Sequence, residues 1–551
     1  MKRGFIYVLL ALAACLLILW VELSRDVPKP LEEPHQDSAK PPPKLVSPSS
    51  PSFPKPELPE GFAPLDSEDS LEVLAEALLR RGRPSQDIVV VFSSPQEAAE
   101  FAAEAPLNGM SVIDDSEALS SLRLRLSDPL KAIDFLKDLE DDAQLEWNRP
   151  VQAPPLPRPE YLDGERAFGD QAAQWMDVPT ERSEWGRGVT VAILDSGVDM
   201  GHSSLAESKI SAIDLVGGTT GPDGVYLGHG TAVASIVAGG GEELQGLAPS
   251  AEVLSIRVLD GEGRGDSFTV ARGIVEAVDR GAKVINLSLG SDSSSQVLEN
   301  AVNYAREKGS VVVAAVGNDG ARGVSFPARY EGVVGVTSVD AKGRQSAFAN
   351  YGEQVDIAAP GIGVHAAWSG DEKVSFSGTS SSTAFVSGAL AAEISLNPGM
   401  NPDQVVEMLY GYSNEAEKPG KDLLTGHGIL NVGRVQNRDT LGIRDAAVVG
   451  YYFDPAQLKG GTTPFLVSVQ NQGTEWLSGV SLEVDYNGVK RNFLLGSLDP
   501  GQVRSEKLFL DADSASDPDG VRIVSNISIS GGGDVKPAND TRASRITLPA
   551  P

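Results

Sequence analysis

Hydrophobic and polar positions divide the 551-residue chain into zones with different periodicities. The first zone is an apolar run, the second is rich in Pro and Ser, and the third and fifth mix helical with strand-like spacing. A linker joins the third and fifth zones, and short alternating strands fill the last. These zones are residues 1–24, 25–64, 65–150, 151–184, 185–438 and 445–551. The pattern predicts a multidomain protein.

The first zone predicts export. Lys2 and Arg3 precede apolar residues from Phe5 to Val21, which is typical of a signal peptide or a short signal-anchor helix. A membrane anchor is favoured over a cleaved signal, and a lipid anchor on Cys15, within a lipobox-like stretch, ranks third. The following zone lacks the apolar content to offset ordering entropy, so a disordered linker is expected.

The third zone predicts a small α+β module. After a helix behind Asp69 and Ser70, the order is β-α-β-β-α-β, which implies a ferredoxin-like sandwich. Its predicted elements are strands at 87–92, 110–113, 121–126 and 143–148 and helices at 95–104 and 129–139. By itself such a module could serve regulation or binding.

The fifth zone predicts an α/β domain. Short β-branched strands alternate with helices, an order that predicts a parallel sheet covered by helices on both faces. The predicted strands are 189–194, 253–259, 284–288, 311–316 and 333–339, and the helices 229–239, 267–280 and 296–308. Functional groups are then expected at the carboxyl ends of the strands.

Three polar residues lie at the ends of predicted strands or helices in this domain. Asp195 follows an apolar strand, His229 begins a small-residue helix, and Ser380 lies in the first turn of another. Alone, the serine would be read as a helix cap and the histidine as structural. Together they provide a nucleophile, its general base and a group that orients the base. Asn318, on a tight turn after a further strand, is suited to holding an oxyanion.

Composition narrows the function classes. A formal net charge of −30 argues against a nucleic-acid partner. The only cysteine lies in the N-terminal apolar run, so disulfides and thiol chemistry are excluded from the folded domains. Five scattered histidines are too few for a histidine-rich metal site.

The polar residues and their neighbours resemble the subtilisin-like serine proteases, or subtilases. Asp195 matches the family's Asp-Ser-Gly motif, His229 its Gly-His-Gly-Thr motif, and Ser380 its Gly-Thr-Ser motif, in the family's order. Asn318 matches the turn that supplies the oxyanion-hole amide. The likeness covers about 250 residues, and it implies peptide-bond hydrolysis through an acyl-enzyme.

The resemblance also implies a substrate cleft. Ser288, Leu289 and Gly290 would pair with extended substrate as an added strand. The specificity pocket around Gly317 and Ser325 is uncharged, which favours apolar or unselective cleavage.

Some residues depart from the family pattern. Ala384 stands where Pro is frequent, which does not argue against activity because Ala continues a helix readily. Ser382 stands where the smaller Ala is common, and a slight change in packing under Ser380 is expected there. Ser204 replaces a calcium-ligating Asp, and the loop from Gly239 to Leu244 is short. The family's tight calcium site is therefore expected to be missing, with no cofactor needed.

The flanking modules take their meaning from this resemblance. Subtilases are commonly preceded by a β-α-β-β-α-β propeptide that blocks the active site, and the 65–150 module is similar in topology and placement. A permanent ligand-binding module is the alternative. Cleavage is expected between Pro150 and about Ser183, but in the flanks of the Pro-dense piece from Ala153 to Pro159. The seven strands predicted after Asp445 favour an immunoglobulin-like β-sandwich similar to bacterial adhesion-type domains.

The sequence therefore predicts an exported serine endopeptidase acting on proteins or peptides, associated with the membrane before processing, with its propeptide as an intramolecular inhibitor. The alternatives are a catalytically silent subtilase scaffold that binds at a surface, and a protease whose only cut is its own maturation.

Overall fold

The computed structural model describes residues 87–546 except 129–130, 133–134, 137–142, 218–225, 227, 242–243, 454–461, 487 and 512–520. The predicted signal or anchor, the Pro-rich linker and the helix after Ser70 lie outside the described residues, as does most of the predicted 129–139 helix. Within the described residues, none of the helices combines the length and the apolarity that a membrane crossing needs.

The N-terminal module is an antiparallel sheet with a helix on one face. Its elements are β1 (Asp87–Phe92), α1 (Pro95–Glu104), β2 (Met110–Ser116), β3 (Ser121–Leu126) and β4 (Ala143–Trp147). The strand order is β2-β3-β1-β4. Helix α1 begins where Pro95 fits the first turn and the Ser94 hydroxyl accepts the Glu97 N–H at 3.3 Å. Its Phe101 packs against Phe92 in the module core.

A short strand and two single-turn helices connect this module to the central domain. They are β5 (Pro150–Gln152), α2 (Pro159–Leu162) and α3 (Ala172–Trp175). The last part of the connection belongs to the central domain, because Phe168, Met176 and Trp185 are buried in its core.

The central domain contains a seven-stranded parallel sheet, which confirms the predicted α/β class. Its strands are β6 (Thr190–Asp195), β7 (Lys209–Asp214), β8 (Glu252–Arg257), β10 (Val284–Leu287), β11 (Val311–Ala315), β12 (Val333–Val339) and β13 (Ile357–Pro360), beside the short β9 (Arg264–Asp266). The order is β13-β12-β11-β10-β6-β8-β7, and every pair is parallel. The sequence pattern missed β7, which is mostly exposed at one edge, and β13 at the other.

Helices cover both faces of this sheet. They are α4 (His229–Ala238), α5 (Ser267–Asp279), α6 (Gln296–Glu307), α7 (Thr379–Leu396), α8 (Pro402–Gly411) and α9 (Val432–Gln436), with a hairpin of β14 (Val364–Trp368) and β15 (Glu372–Phe376) before α7. One apolar cluster joins the sheet to α4, α7 and α8, and a second joins it to α5 and α6. Because α4 and α7 are buried along their lengths, the polar residues in their first turns are held rigidly.

The C-terminal zone consists of two packed antiparallel sheets. The strands are β16 (Ala446–Phe453), β17 (Thr462–Asn471), β18 (Leu477–Tyr486), β19 (Val489–Leu498), β20 (Val503–Asp511), β21 (Val521–Ser528) and β22 (Thr541–Ile546). The sheet orders are β16-β17-β20 and β19-β18-β21-β22. All seven predicted strands are present, with bounds shifted by a few residues, around a shared apolar core.

Candidate active site

Asp195 and His229 form a buried hydrogen-bonded pair at the carboxyl end of the parallel sheet. Asp195 ends β6 and His229 begins α4, and each is 1% exposed. The His229 Nδ1 atom lies 2.9 Å from both carboxylate oxygens of Asp195. Because a carboxylate only accepts, Nδ1 carries the hydrogen and Nε2 is left as the basic nitrogen. The Ser196 N–H also donates to Asp195 at 2.7 Å, which fixes the carboxylate.

Close packing explains the glycines beside this histidine. A Cβ on Gly230 would lie 2.3 Å from the Gly197 carbonyl oxygen, and one on Gly228 would lie 2.2 Å from the Trp368 ring. The imidazole itself is flanked by Phe376, edge-on with ring centroids 5.4 Å apart, and by Tyr226 at 5.8 Å. A larger residue at either glycine would move the imidazole away from Asp195.

Ser380 is the second residue of α7 and is 2% exposed. Gly378 precedes the helix with φ 148°, a backbone conformation that residues with a Cβ rarely adopt. The turn therefore places the Ser380 N–H among the unpaired amides of a helix start, where negative charge is stabilised.

Asn318 lies against the same helix start. Its Oδ1 accepts hydrogen bonds from the N–H and the hydroxyl of Thr379, at 3.0 and 2.8 Å. These two bonds orient the amide, so that Nδ2 donates to the carbonyl oxygen of Pro155 at 2.9 Å. A Cβ on Gly378 would lie 3.1 Å from this Nδ2 and 3.8 Å from the Ser380 nitrogen. The Asn318 amide and the Ser380 N–H thus lie on either side of one small space.

A buried polar relay connects the end of β10 to α7. The Ser387 hydroxyl donates to Asn286 Oδ1 at 2.9 Å, and Asn286 Nδ2 donates to the Ser288 hydroxyl at 3.0 Å. Ser288 in turn donates to the Ser380 carbonyl oxygen at 3.3 Å. Asn286, Ser288 and Ser387 are each 0% exposed, so the relay ties the predicted substrate-binding strand to the serine's own backbone.

Among the predicted substrate-binding residues, Gly290, Gly317 and Ser325 lie close together. Gly290 exchanges two backbone hydrogen bonds with Gln152, at 2.9 and 2.8 Å. Gly317, with φ 106°, and Ser325 are adjacent, since a Cβ on Gly317 would lie 2.7 Å from the Ser325 hydroxyl. A Cβ on Gly290 would come within 3.0 Å of the Ser325 side chain. Leu289, by contrast, is buried in the core rather than exposed to the cleft.

Sequence reasoning missed two residues that shape this site. Asn350 accepts the N–H groups of Asp319 and Ala321, at 3.0 and 3.1 Å, and so holds the turn that carries Asn318. Tyr226 packs against His229, and burial raises the pKa of its hydroxyl. No local motif marks either residue, because each acts through contacts formed only in the folded chain.

Ser204 lies where the family resemblance places a calcium-ligating Asp, and its backbone groups bond within the chain. The Ser204 N–H donates to His202 Nδ1 at 3.0 Å, and its carbonyl accepts the Gly240 N–H at 2.9 Å. Both groups therefore have protein partners, and a hydroxyl stands where the family pattern has a carboxylate. Nowhere in the described part of the chain do three or more His, Asp, Glu or Cys side chains group as metal ligands would. The expectation that catalysis needs no cofactor stays a prediction.

Comparisons with known proteins identify the family of the chain. A family model described as Subtilase family matches residues 186–428. The chain is 37% identical over 262 residues to the Thermostable alkaline protease of Halalkalibacterium halodurans, covering 46% of this chain and 69% of that protein. It is 42% identical over 206 residues to Thermitase of Thermoactinomyces vulgaris, covering 37% and 74%. It is 39% identical over 248 residues to Subtilisin BL of Lederbergia lenta, covering 45% and 90%. The chain therefore belongs to the subtilase family and is a subtilisin-like serine endopeptidase.

Proposed function

We propose that this endopeptidase hydrolyses peptide bonds through Asp195, His229 and Ser380, with Asn318 and the Ser380 N–H binding the oxyanion. The observation that supports this most directly is the Asp195–His229 pair, which leaves Nε2 as the base. His229 takes the Ser380 proton as the oxygen attacks the carbonyl carbon, and Asp195 stabilises the imidazolium. His229 then protonates the departing amine, and water releases the acyl group by the same steps.

The oxyanion contacts explain why a weakly nucleophilic alcohol can react. Charge moves onto the carbonyl oxygen during attack, and two preoriented donors at that oxygen stabilise the transition state more than the ground state. Asn318 is suited to this role because Thr379 occupies its other amide atom and fixes its direction.

Substrate is proposed to bind as an added strand along Ser288–Gly290. Gly317 and Ser325 would line the pocket for the residue that supplies the acyl group. Both residues are uncharged, which favours cleavage after apolar residues or without selectivity. The pocket is narrow, because the Ser325 side chain lies close to Gly317 and Gly290.

The N-terminal module is proposed to be an intramolecular inhibitor with a ferredoxin-like fold. Its strand order places β1 next to β4 and β3, as that fold requires. It packs on α5 and α6, and the segment after it enters the cleft. The C-terminal sheets are proposed to form an immunoglobulin-like sandwich.

Export and initial membrane association are proposed from residues 1–24. Because the predicted anchor precedes the inhibitor module, a cut between the module and the central domain would release the protease from the membrane. Immunoblotting of membrane and soluble fractions tests this, and a full-length, membrane-held active enzyme would contradict it.

Labelling with a serine-directed fluorophosphonate tests the catalytic proposal. The full chain is labelled before and after brief treatment with an added protease that digests the N-terminal module, beside Ser380→Ala and Ser382→Ala variants. We expect label and casein hydrolysis after treatment, lost in Ser380→Ala and retained in Ser382→Ala. Label without casein hydrolysis would indicate a protease limited to its own maturation, and a folded chain without label would indicate a silent scaffold.

A further inference from the structure

The segment from Pro150 to Pro157 lies along the cleft as a bound substrate strand would. Val151 pairs antiparallel with Gly265 of β9, and Gln152 exchanges two hydrogen bonds with Gly290. The Ala153 N–H donates to the Gly263 carbonyl oxygen at 2.8 Å. Val151 and Ala153 are buried among the apolar residues of this face. Backbone pairing of this kind is how proteins capture extended peptides.

The strand places one particular peptide bond against Asn318, the proposed oxyanion donor. The Pro155 carbonyl oxygen accepts the Asn318 Nδ2 hydrogen, so the carbonyl that faces this donor belongs to the Pro155–Leu156 bond. The next residue, Leu156, lies beside Tyr226: burial raises the pKa of the Tyr226 hydroxyl, and a hydrogen bond from the Leu156 backbone lowers it by less.

Two prolines precede the presented carbonyl. Because Pro154 and Pro155 have no N–H, the hydrogen-bonded ladder stops at Ala153, two residues before the reacting carbon. Their rings also fix φ, and Pro157 restricts Leu156 to extended conformations. Asn318 holds the carbonyl oxygen, but the N–H groups of Pro154 and Pro155 that would align the strand for attack are missing. Such alignment accounts for a large part of an enzyme's rate.

We propose that Pro154 and Pro155 make this segment a self-resistant strap, which occupies the active site without being cleaved there by the chain's own Ser380. This inference rests on the proposed triad and adds its regulation. The strap persists because the module anchors it. The Glu146 carboxylate accepts the N–H groups of Gln296 and Val297 at the start of α6, and Asn148 accepts the Phe268 N–H near the start of α5.

It follows that the intact chain is latent. Activation requires the module to be removed by a second endopeptidase cutting outside the prolines, or to dissociate, since self-hydrolysis of the Pro155–Leu156 bond is too slow. The added cut is ordinary hydrolysis, in which one water is consumed per bond.

A Pro154→Ala/Pro155→Ala variant tests the strap. Purified full-length chains are incubated, and intact mass and new N-termini are measured over time. We expect a new N-terminus at Leu156 in the double variant, at least tenfold faster than in the unsubstituted chain and absent when Ser380→Ala is added. Pro159→Ala is the matched control, because Pro159 is exposed at the start of α2, beyond the strap, and it should stay as intact as the unsubstituted chain.

The outcomes separate the strap from the catalytic proposal. Protease-treated chain that hydrolyses casein shows that the triad works. If it does, and the unsubstituted chain is cut at Pro155–Leu156 as fast as the double variant, or the double variant stays intact, the strap inference is wrong. If the treated chain has no Ser380-dependent activity, the proposed triad fails first.

Discussion

Removing the carboxylate of Glu146 is expected to open the active site of the intact chain. In the docked module, this carboxylate accepts the Gln296 N–H at 2.7 Å, the Val297 N–H at 3.0 Å and the Ser295 hydroxyl at 2.9 Å. The two amides belong to the first turn of α6, whose dipole also favours a negative charge. Glu146→Ala removes all three contacts at once.

The magnitude follows from these contacts and from burial. Hydrogen bonds to a charged group contribute roughly 1.5–3 kcal/mol each, so three could amount to more than 5 kcal/mol. Burial opposes them, and it raises the pKa of Glu146 despite the three donors, which shows that desolvation offsets much of the gain. We therefore take about 3 kcal/mol, or roughly a 150-fold increase in the fraction of chains with an undocked module.

The rate of fluorophosphonate labelling at Ser380 measures that fraction, because only an open cleft reacts. Glu146→Ala should label far faster than the unsubstituted chain under identical conditions. Glu100→Ala is the matched control, since Glu100 is exposed on α1 and accepts a hydrogen bond from Gln96 of the same helix. A folded Glu146→Ala chain that labels within threefold of the control would refute the view that this carboxylate holds the cleft closed.

Three further predictions concern catalysis and stability. Asp195→Asn should lower kcat of the protease-treated enzyme by about 10⁴-fold, because an amide at this position permits the wrong imidazole tautomer. A decrease of less than tenfold in the rate of casein hydrolysis would contradict the assignment. Asn286→Ala should lower kcat about tenfold with little change in KM, since the buried relay behind Ser380 loses its central group at about 1–3 kcal/mol; a change confined to KM would count against it. Burial raises the pKa of Glu415 from 4.5 to about 7, so folding favours its protonated form. The stability that this group contributes is complete below pH 4.5 and is lost as the pH rises through 7. Thermal unfolding should therefore show that Glu415→Gln reduces the stability lost between pH 5 and pH 8, by up to about 3 kcal/mol, and an unchanged pH profile would refute it.

The sequence predicted the elements whose pattern is set by burial. Strands such as β6 and β12 are mostly apolar and buried along nearly their whole length because both faces are covered, and their bounds agree with prediction to within one residue. The same logic failed for β7, whose side chains are mostly exposed and carry no apolar pattern. It also missed the β14–β15 hairpin, which lies outside the parallel sheet.

The site divides in the same way. Asp195, His229 and Ser380 could be identified because each lies at the end of a recognisable element with a distinctive neighbouring glycine. Tyr226 and Asn350 could not, because their roles depend on side-chain contacts with residues that no local pattern connects to them. The contact between Asn318 and Pro155 joins residues 163 positions apart, so only the folded chain reveals that the Pro-dense piece lies in the cleft.

The strap and a substrate compete for one surface, and this distinguishes two ways of altering the enzyme. Gly290 and Gly263 offer backbone groups to any extended strand, so an unoccupied cleft is an exposed edge that another chain could pair with. Substitutions at these positions weaken the binding of both the strap and the substrate, and therefore alter latency and KM in the same variant. Glu146 contacts α6, away from the ladder, and its loss should alter latency while leaving KM of the released enzyme unchanged. Latency can therefore be changed without changing substrate binding, because the module is held at the starts of α5 and α6, which the substrate does not contact.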